Sequence, residues 1–225
     1  MKKLVVAIDG PAGAGKSTVA QIVARRLRYT YIDTGAMYRA IAWLVLTTET
    51  AVEDMAAVGV LATGADIQLT NEGDRQGVFI NGSDVTTAIR TPAVTRLVAE
   101  VALQPKVREV LLAKQRQMAV AGGVVMDGRD VCSNVLPNAD VKVFLTASIE
   151  ERAKRRWLEL QPKGHSLSIE ALQQEIALRD KTDCEREVAP LIQTLDAVLI
   201  DTTTLSIEGA VAEILRLCEE RSCFV

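Results

Sequence analysis

Short, unbroken apolar runs alternate with longer stretches of amphipathic spacing along most of the chain. Leu4-Val5-Val6-Ala7-Ile8 has no polar member and stops at Asp9-Gly10-Pro11, which predicts a strand covered on both faces rather than one with a wet side. Beyond the glycines, Val19, Ile22, Val23 and Leu27 recur at helical spacing, so residues 17–27 should lay one face of a helix on that strand. Tyr29 to Ile32 and Ala36 to Leu46 predict a second strand and helix. Val124-Val125-Met126, Val141 to Leu145 and Ala197 to Ile200 are three further strands. Five short strands separated by helices predict the α/β class, a doubly wound parallel sheet flanked by helices.

Other stretches break this rhythm. Ile67-Gln68-Leu69, Gly77-Val78-Phe79-Ile80 and Val85 alternate around Asn81-Gly82, a dipeptide suited to a tight hairpin turn, so a small antiparallel insertion is expected. Ser148-Ile149-Glu150-Glu151 is a capping box that opens a helix carrying Arg152, Arg155 and Arg156. A long helix is expected from about Ser168 to Val188, stopped by Pro190, with Arg179, Asp183 and Arg186 on one face. Gln161-Pro162-Lys163-Gly164, between these helices, reads as a hinge or lid tip. There is no repeat or linker, so one domain is expected over 1–225, with a core of 1–63, 98–147 and 190–225. The insertion spans about 64–97, the lid about 148–167 and the further helix about 168–189.

Composition narrows the partners. With 225 residues, 48% apolar and 24% charged, the chain can bury a sizeable core. A net charge of -3 argues against a nonspecific polyanion binder, so no nucleic-acid partner is expected. Cys132, Cys184, Cys218 and Cys223 lack C-x-x-C spacing and read as free thiols rather than a zinc site or a disulfide framework. The first apolar run is too short for a signal peptide and no 18-residue apolar stretch exists, so a cytoplasmic protein without membrane attachment is expected. A monomer is the expected state.

The first glycine-rich segment carries chemistry. Gly10-Pro11-Ala12-Gly13-Ala14-Gly15-Lys16-Ser17 fits G-x-x-x-x-G-K-[ST] and lies between a predicted strand and a predicted helix. Glycines let successive N–H groups face one centre, and the helix N-terminus adds the positive end of its dipole. Lys16 can reach the β/γ oxygens of ATP, the Ser17 hydroxyl can ligate the accompanying Mg²⁺, and Thr18 supports the α-phosphate end. A phosphotransferase and a nucleotide-driven switch both use such a loop. No guanine-reading Asn-Lys-x-Asp occurs.

A transferase needs acceptor-binding groups, and three segments offer them. Asp33-Thr34-Gly35-Ala36-Met37-Tyr38-Arg39 follows the second strand and Asp127-Gly128-Arg129-Asp130 follows Val124-Val125-Met126, which puts both at the carboxyl edge of the sheet. Asp127, ending an apolar strand in such a fold, suits assistance to Mg²⁺. The third segment is the Arg179, Asp183, Arg186 stripe, which could equally be a surface ion-pair ladder.

These segments, with Gly-Pro-Ala-Gly-Ala-Gly-Lys-Ser-Thr at 10–18 and Thr-Leu-Ser-Ile-Glu at 204–208, resemble the bacterial cytidylate kinase family from about Val6 to Leu215. The resemblance implies a nucleoside monophosphate kinase moving the γ-phosphoryl of ATP, with Mg²⁺, onto CMP or dCMP. Kinases for other monophosphates and a regulatory ATPase are the alternatives. It implies that the insertion covers the monophosphate site and that Lys16, Arg129 and Asp127 are catalytic. Arg39 and Arg129 would grip the acceptor phosphate. Thr34, Arg108, Asp130 and Arg186 would surround the cytosine, and Arg179 and Asp183 would meet the sugar hydroxyls. Arg152, Arg155 and Arg156 would belong to a mobile lid over ATP. Family members usually continue Gly-Arg-Asp with a hydrophobic residue and Gly-Thr, whereas Val131 here is followed by Cys132-Ser133-Asn134. Ala99 and Glu100 stand where relatives often place a base-contacting serine.

Overall fold

The computed structural model describes residues 3–72, 75–161 and 167–223. In chain order the elements are β1 (Val5–Asp9), α1 (Lys16–Leu27), β2 (Thr30–Asp33), α2 (Thr34–Thr47), α3 (Met55–Gly64), β3 (Ile67–Glu72), β4 (Arg75–Ile80), β5 (Ser83–Asp84), α4 (Pro92–Leu103), α5 (Pro105–Ala119), β6 (Val124–Asp127), β7 (Val141–Thr146), α6 (Ile149–Leu160), α7 (Ile169–Glu185), β8 (Val198–Asp201) and α8 (Ile207–Ser222). The main sheet runs in the order β2-β6-β1-β7-β8, so the five predicted strands and the α/β class are present. Two compact units divide the chain, Met1–Tyr29 with Gly122–Val225, and Thr30–Ala121.

In the first unit β1 lies parallel to β6, from Val5↔Val124 to Ile8↔Asp127, and to β7, from Val6↔Val141 to Asp9↔Phe144. β8 adds in parallel to β7 from Val143↔Val198. Val6, Ala7, Ile8 and Val125 are fully buried, the physical reason that β1 and β6 read as unbroken apolar runs. Because the registers are parallel, Asp9 and Asp127 finish neighbouring strands at the same sheet edge. Trp157 and Leu160 of α6 pack with Leu172 and Ile176 of α7 in a small separate cluster.

The second unit builds its own core from Met37 and Ile41 of α2, Val58 of α3, Ile67, Val78 and Ile80 of the small sheet, and Val94 and Leu111 of the later helices. β3 pairs with β4 in antiparallel register from Ile67↔Ile80 to Glu72↔Arg75. Asn81 (φ 50°) and Gly82 (φ 79°) then turn β4 into the two-residue β5. The insertion and its Asn-Gly turn are where the alternation puts them.

One expected helix is shorter than its pattern. α7 ends at Glu185, and Arg186 takes an extended backbone (φ -61°, ψ 139°). Its Nε donates to the carbonyl of Ala189 at 2.7 Å, while Leu191 N donates to the carbonyl of Asp183 at 2.8 Å. The chain therefore folds back before Val188, and Arg186 does not share a helix face with Arg179 and Asp183. The expected lid tip at 162–164 lies outside the described residues. Among the described residues no helix is long and apolar enough to cross a membrane.

Candidate active site

The phosphate-binding geometry starts at α1. Its cap residue Gly15 (φ 88°) brings no side-chain acceptor, whereas α2, α6, α7 and α8 are capped by Asp33, Ser148, Ser168 and Ser206. The first-turn N–H groups of α1 are thus left to an external acceptor, which suits an anion. Lys16 is buried and its Nζ donates to the carbonyl of Pro11 at 2.7 Å. Burial is the largest influence on this ammonium and the neighbouring Arg129 charge the next; both lower its pKa against the pull of Asp127, Asp9 and Asp183, leaving it at about 7. A phosphate bound beside Lys16 would favour the ammonium form that burial disfavours.

Ser17 Oγ donates to Asp127 Oδ2 at 3.0 Å. The hydroxyl opens α1 and the carboxylate ends β6, so two chain segments 110 residues apart present hard oxygens together. That donor set fits Mg²⁺, which keeps waters and substrate phosphates as its other ligands. Among the described residues no group of three or more His, Cys, Asp or Glu forms a protein cage for a metal.

The segment after β6 is held in the same unit. Arg129 Nε donates to Asp183 Oδ2 at 2.9 Å. Asp130 accepts from Arg186 Nη2 and from Asn134 Nδ2, each at 3.1 Å. The Asp183 carboxylate is thus held by Arg129, from outside its own helix. Asp9, completely buried, accepts from Val131 N at 2.9 Å and Cys132 N at 2.7 Å. Its pKa is raised by burial, against the lowering of those two amides. Cys132 is itself buried beneath this loop, and burial holds its thiol well above the ordinary range.

One of the three α6 arginines is bonded to the phosphate loop, and a second reaches it through Thr202. Arg152 Nη1 donates to the Ala12 carbonyl at 3.1 Å, Nε to the Ala147 carbonyl at 2.9 Å, and Nη2 pairs with Asp180 at 2.7 Å. Arg155 reaches Thr202 Oγ1 at 3.1 Å, and that hydroxyl faces the Ala14 carbonyl at 3.2 Å. Arg156 pairs with Glu159 on the exposed side. Asp9, Asn134, Asp180 and Thr202 are the supports that sequence reasoning missed; Asp9 alone left a trace, as the acid that ends β1.

In the second unit Asp33 caps α2 through Ala36 N at 2.8 Å, and its other oxygen takes Arg39 Nη2 at 2.7 Å. Thr34 is buried at the first helical position. The Arg39 Nε is buried without a partner, an orphan donor of the kind an anionic ligand satisfies. Gln76 of β4 fixes this turn, donating to the Tyr31 carbonyl at 2.6 Å and accepting from Asp33 N at 3.3 Å. Arg108 is buried, with its guanidinium 5.6 Å from the Tyr38 ring centre and Nη1 donating to the Ala102 carbonyl.

The family model described as cytidylate kinase matches residues 6–220. A protein named cytidylate kinase from Geobacillus sp. (strain WCH70) is 54% identical over 216 residues, covering 96% of each chain. Its namesake in Bacillus subtilis (strain 168) is 52% identical over 221 residues, covering 98% of this chain and 99% of the other. Among solved structures, shikimate kinase from Bacteroides thetaiotaomicron aligns with a TM-score of 0.50 at 15% identity over 95% of this chain and 97% of that one, a likeness of fold. With a family match from one end of the sheet to the other and half the residues shared with its relatives, the chain belongs to the cytidylate kinase family.

Proposed function

We propose that this chain transfers the γ-phosphoryl group of ATP to CMP or dCMP, giving ADP and CDP or dCDP. The observation that carries the reading is the gathering of Lys16, Ser17 and Asp127 beside the Arg129–Asp183 pair, in a chain whose relatives are named for cytidylate. An acceptor phosphate oxygen attacks the γ-phosphorus in line, the bond to the β–γ bridging oxygen breaks, and ADP leaves. The acceptor oxygen is already anionic near neutral pH, so no general base and no covalent enzyme intermediate is needed. Lys16 neutralises the β/γ oxygens and Arg129 the acceptor phosphate, both positioned before the reaction. Ser17 and Asp127 would hold Mg²⁺, which supplies further neutralisation of the ATP phosphates when bound.

Arg39 is assigned to the acceptor phosphate with Arg129. Thr34, Arg108, Asp130 and Arg186 are assigned to the base, and Arg179 and Asp183 to the sugar. Residues 10–18 with Arg152, Arg155 and Arg156 are assigned to ATP, with 148–167 as a lid, 64–97 as the monophosphate insertion and 168–189 as the acceptor helix. A cytoplasmic monomer acting on small nucleotides completes the reading.

ADP formation from ATP with CMP, dCMP, UMP or AMP, and from ATP alone, tests it. Fast turnover with CMP and dCMP and slow hydrolysis of ATP alone are expected, because water is excluded only when both substrates are bound. Preference for another monophosphate, or equal ADP release without acceptor, would replace this reading with one of its alternatives. A second test separates the substrates. Asp183→Ala removes the acceptor from Arg129 Nε, so the KM for CMP should rise about tenfold or more while that for ATP stays within about twofold. A change confined to ATP would mean that α7 serves the donor.

A further inference from the structure

We propose that Asn134 is a positioning residue for base selection, holding the Asp130 carboxylate at a fixed angle so that it accepts from the 4-amino group of cytosine and rejects uracil. The inference rests on the assignment of Asp130 to the base. An ionised carboxylate only accepts, so the side-chain nitrogen of Asn134 must face it, as it does at 3.1 Å from Oδ2. Arg186 donates to the other oxygen, Oδ1, and is itself fixed through Nε on the Ala189 carbonyl. Two donors on two different oxygens set the plane of the carboxylate.

The backbone holds the same residue from both sides. The Asp130 carbonyl accepts from Asn134 N at 2.9 Å and Val135 N at 3.0 Å, winding Val131–Val135 into a single π-type turn that returns the Asn134 side chain to Asp130. Across the loop, buried Asp9 clamps Val131 N and Cys132 N.

Orientation matters because discrimination works by repulsion as well as attraction. Uracil turns a carbonyl oxygen toward the place where cytosine offers N–H. A carboxylate free to rotate about Cβ–Cγ would swing away from that oxygen and tolerate UMP, whereas a held one stays facing it. Asn134 should therefore act on the CMP to UMP ratio and not on ATP. It lies just past Cys132-Ser133, where this chain departs from the usual Gly-Thr.

The experiment measures kcat/KM for CMP and UMP, KM for ATP and Tm in wild type, Asp130→Ala, Asn134→Ala, Asn134→Leu and Asn134→Gln. Wild type should favour CMP by roughly ten- to a hundredfold and Asp130→Ala should lose most of that preference. Asn134→Ala and the near-isosteric Asn134→Leu should lower the ratio about three- to tenfold at unchanged ATP KM, and Asn134→Gln, which keeps the donor, should recover part of it. If Asp130→Ala leaves the ratio unchanged, the base assignment itself falls. If Asp130→Ala lowers it but the folded Asn134 variants do not, or if they lose activity equally on both nucleotides, Asn134 is structural and the proposal is overturned. Should Asn134→Ala fail to fold, Asn134→Leu reads the same contrast.

Discussion

Lys16→Ala is expected to lower kcat/KM for phosphoryl transfer by at least about a hundred- to a thousandfold, the loss found when one preorganised charge-stabilising donor is removed from a dry site. The structure gives the reason. The ammonium is buried against the Pro11 carbonyl, within electrostatic reach of Asp127, Asp9 and Asp183, which favour its charge, and of Arg129, which opposes it. It has little water to lose when phosphate arrives, so its interaction with developing charge is not diluted by solvent. The same burial opposes the charge in the nucleotide-free protein, as the lowered pKa of about 7 records. Removing the charge should therefore leave the fold intact, with a Tm within a few degrees of wild type. Steady-state assays with CMP and thermal melts of both proteins check the two halves. Turnover within about threefold of wild type would overturn the phosphate-loop assignment.

What the sequence made legible was local. β1 is an apolar run because both of its faces are covered, and the loop after it is glycine-rich because its backbone must curl, so each announces itself within a few residues. Asp9 shows the limit of this. It could be read as the acid that ends a strand, but its partners are the amides of Val131 and Cys132, more than 120 residues away. The spacing of Arg179 and Asp183 suits an ion pair within α7, yet the bond to Asp183 comes from Arg129, 54 positions away. Arg186 continues the helical pattern of α7 but leaves it, because bonds to Asp130 and Ala189 outweigh the next helical turn. Helical spacing reports which residues can share a face; where a helix stops is decided by groups the local pattern does not contain. The same holds for Arg152 and Arg155: the capping box at Ser148 placed them on α6, but not on the carbonyl of Ala12 or the hydroxyl of Thr202.

Gly10→Ala should be among the most damaging single-methyl changes in the protein, and the reason separates space from conformation. Gly10 has φ 148°, a region open almost only to glycine, and a Cβ there would run into the backbone carbonyl oxygen of Leu145. That oxygen belongs to β7, which is hydrogen-bonded in register to both β1 and β8, so it cannot move aside as the end of a flexible side chain could. Backbone strain of about 1–3 kcal/mol and overpacking of about 1–3 kcal/mol add to roughly 2–6 kcal/mol. In a domain of this size that is a fall in Tm of about 4–24 °C, at about 2–4 °C per kcal/mol. Gly82 supplies the comparison. It also has positive φ, 79°, but nothing lies within 4 Å of the position its Cβ would take. Gly82→Ala should therefore show the conformational part alone, about 1–2 kcal/mol and a few degrees. The two also differ in function, since only Gly10 opens the phosphate loop: Gly10→Ala should weaken ATP binding as well as stability, and Gly82→Ala should leave ATP binding unchanged. Melting curves with and without ATP distinguish the cases. Equal Tm losses for the two variants would show that steric conflict with Leu145 is not what excludes a side chain at position 10.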